Sequence, residues 1–293
     1  MGTKKLTNTA AIQTSLVIFT CEGREHLLLK SFESFSKSCK DVFAHKILVI
    51  DGKISQAVID LIAPDMVIQS RVRRGYVNSI VKALKNIDTD YFFWLEDDWE
   101  FPRSFSIDSL APFLDEPDVL QVTLAKLSVD NDFKSYKTSD IYINGNGFSA
   151  NPSLCRTAAV KDIFNEVVTY EKNEDSKFLS FEYFATDYSL RKELISLIKY
   201  HNGLAFVNHL GDLESTGREY HMINSIRIPV KSYKKEYISG LNRDQSPSLY
   251  NKIGLFVKLY IAVFYLSVKL FLSREAYDFA FRIYVASLKR FKH

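Results

Sequence analysis

The stretch Tyr91-Phe-Phe-Trp-Leu-Glu-Asp-Asp-Trp99 joins an apolar, aromatic run directly to three successive carboxylates. The apolar part has the length and composition of a strand that is buried on both faces of a sheet. Adjacent carboxylates repel one another, so they are costly to place together unless a cation neutralises them. The stretch therefore predicts a buried strand that ends at a site for Mn²⁺ or Mg²⁺, which take oxygen ligands. A solvated acidic turn is the alternative interpretation.

The residues before this stretch alternate apolar runs with helical periodicity. The predicted strands are residues 15–20, 46–51, 66–69 and 91–95, and the predicted helices are residues 24–37, 54–62 and 76–87. Unbroken apolar runs that alternate with helices are typical of a parallel sheet in a doubly wound α/β fold. Such folds bind ligands at the carboxyl ends of their strands. The polar segments 20–24, 51–52 and 96–98 all lie at such ends.

The pattern loosens after residue 101. It predicts strands at residues 119–124 and 204–207, a turn-rich segment at 144–152, and helices at 156–168 and 181–200. We expect three parts: a polar tail at 1–14, a main domain at 15–245, and a C-terminal apolar and basic helical pair at 246–293. The main domain divides into two halves, at 15–100 and 101–245.

Composition excludes some classes of protein. The 293 residues carry a net charge of only +3, which gives no reason to propose nucleic acid as a partner. The three cysteines show no paired spacing, which is typical of a reducing compartment, and no signal peptide is recognisable, so we expect a cytoplasmic protein. Residues 253–272 are apolar over about the length of a bilayer span but include Lys258. Peripheral contact with the inner face of a membrane and a packed helical hairpin are both open interpretations of residues 246–293.

The segment Leu95-Glu-Asp-Asp-Trp99 resembles the DXD-type motif of glycosyltransferases with the GT-A fold, in the form Glu-Asp-Asp. The resemblance is to the family 2 type and covers roughly residues 15–221. It implies a Rossmann-like nucleotide-diphospho-sugar transferase fold in which Asp98 is a metal ligand, and Glu96 or Asp97 faces the ribose or metal-bound water. It also makes His209 a candidate ligand, and imidazole suits Mn²⁺ better than Mg²⁺.

The same resemblance implies a donor pocket. Its residues would be Thr20, Cys21, Glu22 and Arg24 after the first strand, Asp51 at the base, Arg71, Arg73, Arg74, Gly75 and Asn78 along the nucleotide, and Arg218 at the diphosphate. The chain departs from the family pattern in having Glu96 at the first motif position and Cys21-Glu22-Gly23 after the first strand. A solvated basic turn is the alternative interpretation of the arginines.

The acceptor side needs a general base if the transfer inverts the sugar's anomeric centre. Thr186-Asp187 resembles the Glu-Asp motif of the family, which implies that Asp187 is the base, with Glu182 in reserve. The two carboxylates point about 140° apart around a helix, so both cannot easily serve one site. An ion pair with Arg191 is the alternative for Asp187. Asn151 and Ser153 are candidate acceptor contacts, although an Asn-Pro turn explains that stretch almost as well.

The resemblance thus implies a metal-dependent, inverting glycosyltransferase that uses a nucleotide-diphosphate sugar and a glycan or lipid-linked acceptor. Residues 15–100 would be its nucleotide-binding half and residues 101–245 its acceptor half. Family 2-like enzymes often build surface polysaccharides. A non-catalytic, transferase-like scaffold or a membrane-associated binding protein is the alternative of a different class. A sugar nucleotidyltransferase is disfavoured, because that class needs a Gly-rich phosphate loop and residues 20–24 contain one glycine.

Overall fold

The computed structural model describes residues 13–72, 74–128, 134–144, 147–171 and 181–210, together with Tyr260 and Phe264. The chain divides into two compact units, Met1–Lys172 with Leu179–Leu210, and Asn173–Phe178 with Gly211–His293. The described residues lie almost wholly in the first unit. The described residues do not include Arg73 or Arg218. Of the predicted helical pair at 246–293, they include only Tyr260 and Phe264. In the described part of the chain, no helix is long and apolar enough to cross a membrane.

The elements of the described residues alternate between strands and helices in the first hundred positions. The strands are β1 Thr14–Cys21, β2 His45–Asp51, β3 Met66–Ser70, β4 Tyr91–Glu96, β5 Trp99–Glu100, β6 Val119–Leu124, β7 Ser135–Tyr136, β8 Thr138–Ile143, β9 Ser153–Arg156, β10 Ile195–Lys199 and β11 Asn208–His209. The helices are α1 Glu25–Ser38, α2 Gln56–Ile62, α3 Tyr76–Asn86, α4 Thr157–Glu171 and α5 Phe181–Arg191. Two short 3₁₀ turns follow β5, at Ile107–Ser109 and Ala111–Phe113.

The described strands form one large sheet and one small one. The large sheet has the order β3-β2-β1-β4-β9-β6-β10-β8-β7. All of its strands except β8 and β9 run in the same direction, as the pairings require. The expectation of a mostly parallel α/β fold is confirmed.

The central strands are apolar throughout because they contact a core layer on each face. In β1, Leu16 and Ile18 belong to the layer that includes helix α1, whereas Val17 and Phe19 belong to the layer that includes α3. Alternate residues of a strand point to opposite faces, so a strand covered by helices on both sides has no polar face. The four predicted strands of the first half therefore lie where the apolar runs indicated.

The second half differs from prediction in two places. The helix predicted at residues 181–200 is wrong beyond Arg191, because the chain turns at Lys192 and Glu193, and Glu193 adopts a left-handed φ of 55°. Residues 195–199 instead form β10, which pairs with β6 and β8. The strand predicted at 204–207 is also wrong: Leu204 makes an isolated bridge to His201, and the strand begins at Asn208.

The small sheet positions the acidic turn. Strand β5 pairs with β11 in antiparallel fashion, so that His209 lies opposite Trp99 and Asn208 opposite Glu100. The turn between β4 and β5 contains Asp97 and Asp98. This pairing brings a distant part of the chain to the carboxyl end of the central strand β4.

Candidate functional site

Two buried carboxylates lie at the centre of the site. Asp97 and Asp98 follow the last residue of β4, and each is only 5% exposed. Buried charges need partners of opposite sign or hydrogen bonds, since water no longer stabilises them. The partners come from three separate parts of the chain: the end of β1, the residue before α1, and β11.

Asp98 contacts the side chains of Arg24 and His209. Its Oδ2 atom lies 2.6 Å from Arg24 Nη2 and 3.3 Å from His209 Nε2. The backbone N–H of Leu210 donates to the Asp98 carbonyl oxygen at 2.7 Å. Burial alone would raise the pKa of Asp98, but the hydrogen bond and charge of His209, with those of Arg24, hold it below its ordinary value. The side chain is therefore ionised beside His209.

The other carboxylate oxygen of Asp98 is exceptional. Oδ1 is buried and has no hydrogen-bond partner among the described residues. Buried polar atoms are almost always paired, and an unpaired one calls for an explanation such as an ion or water. An acceptor of this kind, next to an imidazole, fits a divalent cation.

Asp97 is held by the end of β1 and by Arg24. Thr20 Oγ1 donates to Asp97 Oδ2 at 2.7 Å, and Arg24 Nη2 lies 2.8 Å from Asp97 Oδ1. Burial raises the pKa of Asp97 to about 6, although Arg24 and Thr20 oppose the shift. For Arg24, burial would lower the pKa, but the charges of Asp97 and Asp98 outweigh it and raise the pKa above the ordinary value. One guanidinium thus bridges both aspartates.

Glu96 has a different environment from the two aspartates. Tyr76 donates its hydroxyl hydrogen to Oε1, and Trp99 Nε1 donates to Oε2 at 3.4 Å. Burial raises the pKa of Glu96 to about 8; the charges of Asp98 and Glu182 add to the shift and the Tyr76 hydrogen bond opposes it. Sequence reasoning missed Tyr76, because nothing in its local pattern distinguishes it from the other core residues of α3.

Asp51 organises the entry to α3. Its Oδ1 accepts from the Arg74 N–H at 2.7 Å and its Oδ2 from the Gly75 N–H at 2.9 Å. Gly75 has a φ of +93°, which L-residues with a side chain rarely adopt. Both carboxylate oxygens of Asp51 are thus engaged by backbone, and its predicted contact with a nucleotide base stays a prediction.

The other predicted donor residues lie around this edge of the sheet. Cys21 is half-buried at the end of β1, and Glu22 accepts from the Lys53 N–H at 3.0 Å. Arg71, Arg74 and Asn78 are exposed. The predicted roles of these residues in donor binding stay predictions.

The two candidate bases on α5 have unlike surroundings. Glu182 accepts from the Ala150 N–H at 2.9 Å, and its charge contributes to the raised pKa of Glu96. Asp187 pairs with Arg191 at 3.0 Å on the solvent side, where the two side chains are about half exposed, at 49% and 46%. Arg191 also pairs with Glu166 of α4. The structure therefore brings Glu182, rather than Asp187, near the acidic cluster.

The segment before β9 packs closely on α5. A Cβ atom added to Gly147 would lie 2.4 Å from Thr186 Cγ2, so only glycine permits this approach. Of the two candidate acceptor contacts, Asn151 is half-buried at a bend. Ser153 is fully buried on β9, and its hydroxyl lies 3.3 Å from Cys155 Sγ. The interior position of Ser153 separates it from any acceptor at the surface.

Asp98 and His209 are the side chains that could hold a divalent ion. The described residues contain no cluster of three or more His, Cys, Asp or Glu side chains that would form a complete cage. Ions such as Mg²⁺ often bind through one or two carboxylates and take their other ligands from water and substrate phosphates. Asp98 and His209 fit an ion that has few protein ligands and completes its coordination with water and substrate phosphates.

Comparison with known proteins bears on the fold. No protein-family model matches the chain, and no curated protein matches it significantly. The solved structure of GalNAc-T7 with UDP, GalNAc and Mn²⁺ has a TM-score of 0.53 and 14% identity, over 82% of this chain and 53% of that one. The mannosyltransferase PcManGT from Pyrobaculum calidifontis, in complex with GDP-Man and Mn²⁺, has a TM-score of 0.52 and 9% identity, over 96% and 81%.

The chain thus spans about half the length of the GalNAc-T7 chain and most of the mannosyltransferase chain. At these identities the likeness concerns the fold. The chain has the mixed α/β architecture of GT-A glycosyltransferases, with a large, mostly parallel central sheet.

Proposed function

We propose that the chain is a metal-dependent glycosyltransferase that moves a sugar from a nucleotide-diphosphate donor to a hydroxyl acceptor. The observation that carries the proposal is the buried, unpartnered Oδ1 of Asp98, next to His209, at the carboxyl end of the central strand. Open α/β sheets bind their ligands at this edge. Two structures of the same fold, which hold Mn²⁺ with UDP or with GDP-Man, support the proposal.

We propose that the donor side acts by neutralising the negative charge of the diphosphate. A divalent ion held by Asp98 and His209 would neutralise the diphosphate as it leaves. Thr20 and Arg24 fix the position of Asp97, and Asp51 fixes the backbone at Arg74 and Gly75. These contacts hold the edge of the pocket in one geometry before a ligand arrives, which lowers the cost of binding.

The acceptor side is proposed to use Glu182 as the general base, with Asp187 as the alternative. A base must lie within hydrogen-bond reach of the proton that it removes. Glu182 is held by the Ala150 N–H next to the acidic cluster, whereas Asp187 is engaged with Arg191 at the surface. With a base of this kind we propose an inverting transfer. We propose a glycan or a lipid-linked glycan as the acceptor.

The proposal is tested by incubating the protein with UDP- and GDP-sugars, Mn²⁺ and a panel of glycan acceptors. Chromatography would measure the nucleotide released, and NMR would give the anomeric configuration of the product. We expect Mn²⁺-dependent release with one donor and an inverted product. Release by none of the donors, with or without acceptor, would favour the non-catalytic scaffold.

The assignment of the base is tested with a matched pair of variants, Glu182→Gln and Asp187→Asn. Removal of a general base typically costs about 10²–10⁴-fold in rate. We expect this loss in Glu182→Gln and a smaller effect in Asp187→Asn, with donor binding retained in both. The opposite order would transfer the role to Asp187.

A further inference from the structure

The guanidinium of Arg24 lies against the two carboxylates of the acidic turn, where a bound metal ion would be expected. A single nitrogen, Nη2, is 2.8 Å from Asp97 Oδ1 and 2.6 Å from Asp98 Oδ2. The side chain is only 12% exposed, and it immediately precedes helix α1 at the end of the loop that follows β1. The guanidinium thus bridges two adjacent buried carboxylates.

This contact compensates the negative charge of the acidic turn. Two ionised carboxylates in a buried turn repel each other and lose the stabilisation of water. Arginine stays charged under all ordinary conditions, so it compensates them permanently. Its contacts are charge-assisted hydrogen bonds, which are roughly twice as strong as neutral ones. His209 contacts Asp98 in addition.

The same contact conflicts with a divalent ion at Asp98. Metal–oxygen distances for Mg²⁺ are about 2.0–2.1 Å, and Arg24 Nη2 lies 2.6 Å from Oδ2 of the same carboxylate. An ion bound by Asp98 and His209 would therefore lie close to the guanidinium, and two like charges at that distance repel strongly in a buried site.

We propose that Arg24 is a built-in cation of this site, which neutralises Asp97 and Asp98 before metal binds and competes with the divalent ion for Asp98. Metal loading then displaces the guanidinium from Asp98, and the nucleotide-free protein binds metal more weakly than the bare carboxylates would. This inference rests on the metal site of the proposed function. Arg24 is in this account a positioning residue that sets the threshold for metal binding.

The inference is tested by titrating Mn²⁺ into nucleotide-free protein and following free Mn²⁺ by electron paramagnetic resonance. Loss of two charge-assisted contacts should make Arg24→Gln bind Mn²⁺ about tenfold more tightly than wild type, which corresponds to ~1.4 kcal/mol. Arg24→Lys keeps the charge on a more flexible side chain and should fall between them. Asp98→Ala should abolish binding.

A charge control separates this competition from a general change in electrostatics. Lys126 lies over the Trp99 ring, with Nζ 6.0 Å from its centre, and its side chain is exposed. Lys126→Gln removes one positive charge near the site, and because exposed charges are screened, it should change the Mn²⁺ affinity by less than about threefold.

Thermal unfolding gives a second measurement. In EDTA, Arg24→Gln should unfold at a lower temperature than wild type, because its two aspartates lose their arginine partner. Mn²⁺ should restore more stability to this variant than to wild type. Suppose that Arg24→Gln binds Mn²⁺ no more tightly than wild type and that Asp98→Ala binds none. This result would overturn the role of Arg24 and would still support the metal site. Absence of Mn²⁺ binding in every variant, wild type included, would overturn both.

Discussion

His209 Nε2 lies 3.3 Å from Asp98 Oδ2, although the two residues are far apart in the chain. The pairing of β11 with β5 sets this distance, and the Leu210 N–H reinforces it by donating to the Asp98 carbonyl oxygen. The ring of His209 also packs on Trp99, with centroids 4.6 Å apart. The imidazole is therefore fixed in position before any ion binds.

His209→Ala should weaken Mn²⁺ binding at least about tenfold. Loss of a residue that only supports a metal ligand already costs about 10–100-fold in affinity. The reason is the loss of the imidazole that lies next to the Asp98 carboxylate. Isothermal titration of Mn²⁺ would measure it. His201→Ala is the matched control, since His201 is exposed and contacts Phe206 instead. Equal affinity in both variants would remove His209 from the metal site.

Gly147→Ala should destabilise the fold, because the new Cβ would collide with the side chain of Thr186 and the residue would keep a φ of +73°. Strain and overpacking together suggest a loss of about 2–4 kcal/mol in the free energy of unfolding. Urea denaturation would measure this loss. Gly23→Ala is the control, since its φ is +88° but no atom lies within 4 Å of the added Cβ. We expect a smaller loss there, and partial recovery in Gly147→Ala with Thr186→Ala. Equal losses in the two single variants would contradict the close packing.

Asp51→Asn should weaken the connection between β2 and α3. The amide has one acceptor oxygen where the carboxylate offers two, so one of the two backbone N–H groups at Arg74 and Gly75 loses its partner. A fully buried unsatisfied donor costs about 1–3 kcal/mol, and since these N–H groups are only partly buried we expect a loss of about 1 kcal/mol or less. Urea denaturation would detect the change, and Asp60→Asn, which alters only an exposed contact with Gln56, is the control. An Asp51→Asn variant as stable as Asp60→Asn would show that these bonds do not stabilise the fold.

Glu96→Gln should change the pH dependence of stability in metal-free protein. The pKa of Glu96 in the fold, about 8, is above its ordinary value of 4.5, so folding favours the protonated form. Its contribution to stability is full below pH 4.5 and is lost as the pH rises towards 8. Between pH 5 and pH 8 wild type should therefore lose up to about 4 kcal/mol more stability than Glu96→Gln, since each of these three pH units corresponds to ~1.4 kcal/mol. Parallel pH profiles, recorded by urea denaturation in EDTA, would contradict this.

The first half of the fold could be predicted because its information is local. Strands β1, β2 and β4 are apolar on both faces, and the turn at Asp97 and Asp98 follows directly from the sequence of β4. The second half depends on long-range pairing. The apolar residues of β10 continue the helical spacing of α5. Residues 195–199 form a strand because they pair with β6 and β8.

The candidate site likewise combines residues that the sequence predicts with contacts that it does not predict. Asp98 and His209 were both predicted, and their proximity comes from the β5–β11 pairing. The sequence motif favoured Asp187 as the base, whereas the hydrogen bond from Ala150 holds Glu182 near Glu96. Nothing in the local sequence indicates that Tyr76 donates to Glu96 or that Arg24 bridges the two aspartates. Contacts between distant segments depend on the folded structure.

The most direct test of the central claim is calorimetric titration of UDP and GDP into wild type and Asp98→Ala, with and without Mn²⁺. One nucleotide should bind to wild type only when Mn²⁺ is present. Asp98→Ala should abolish this binding while keeping the fold, as circular dichroism would show. Binding that needs no metal and survives Asp98→Ala would contradict a metal-dependent nucleotide-sugar site at the end of β4.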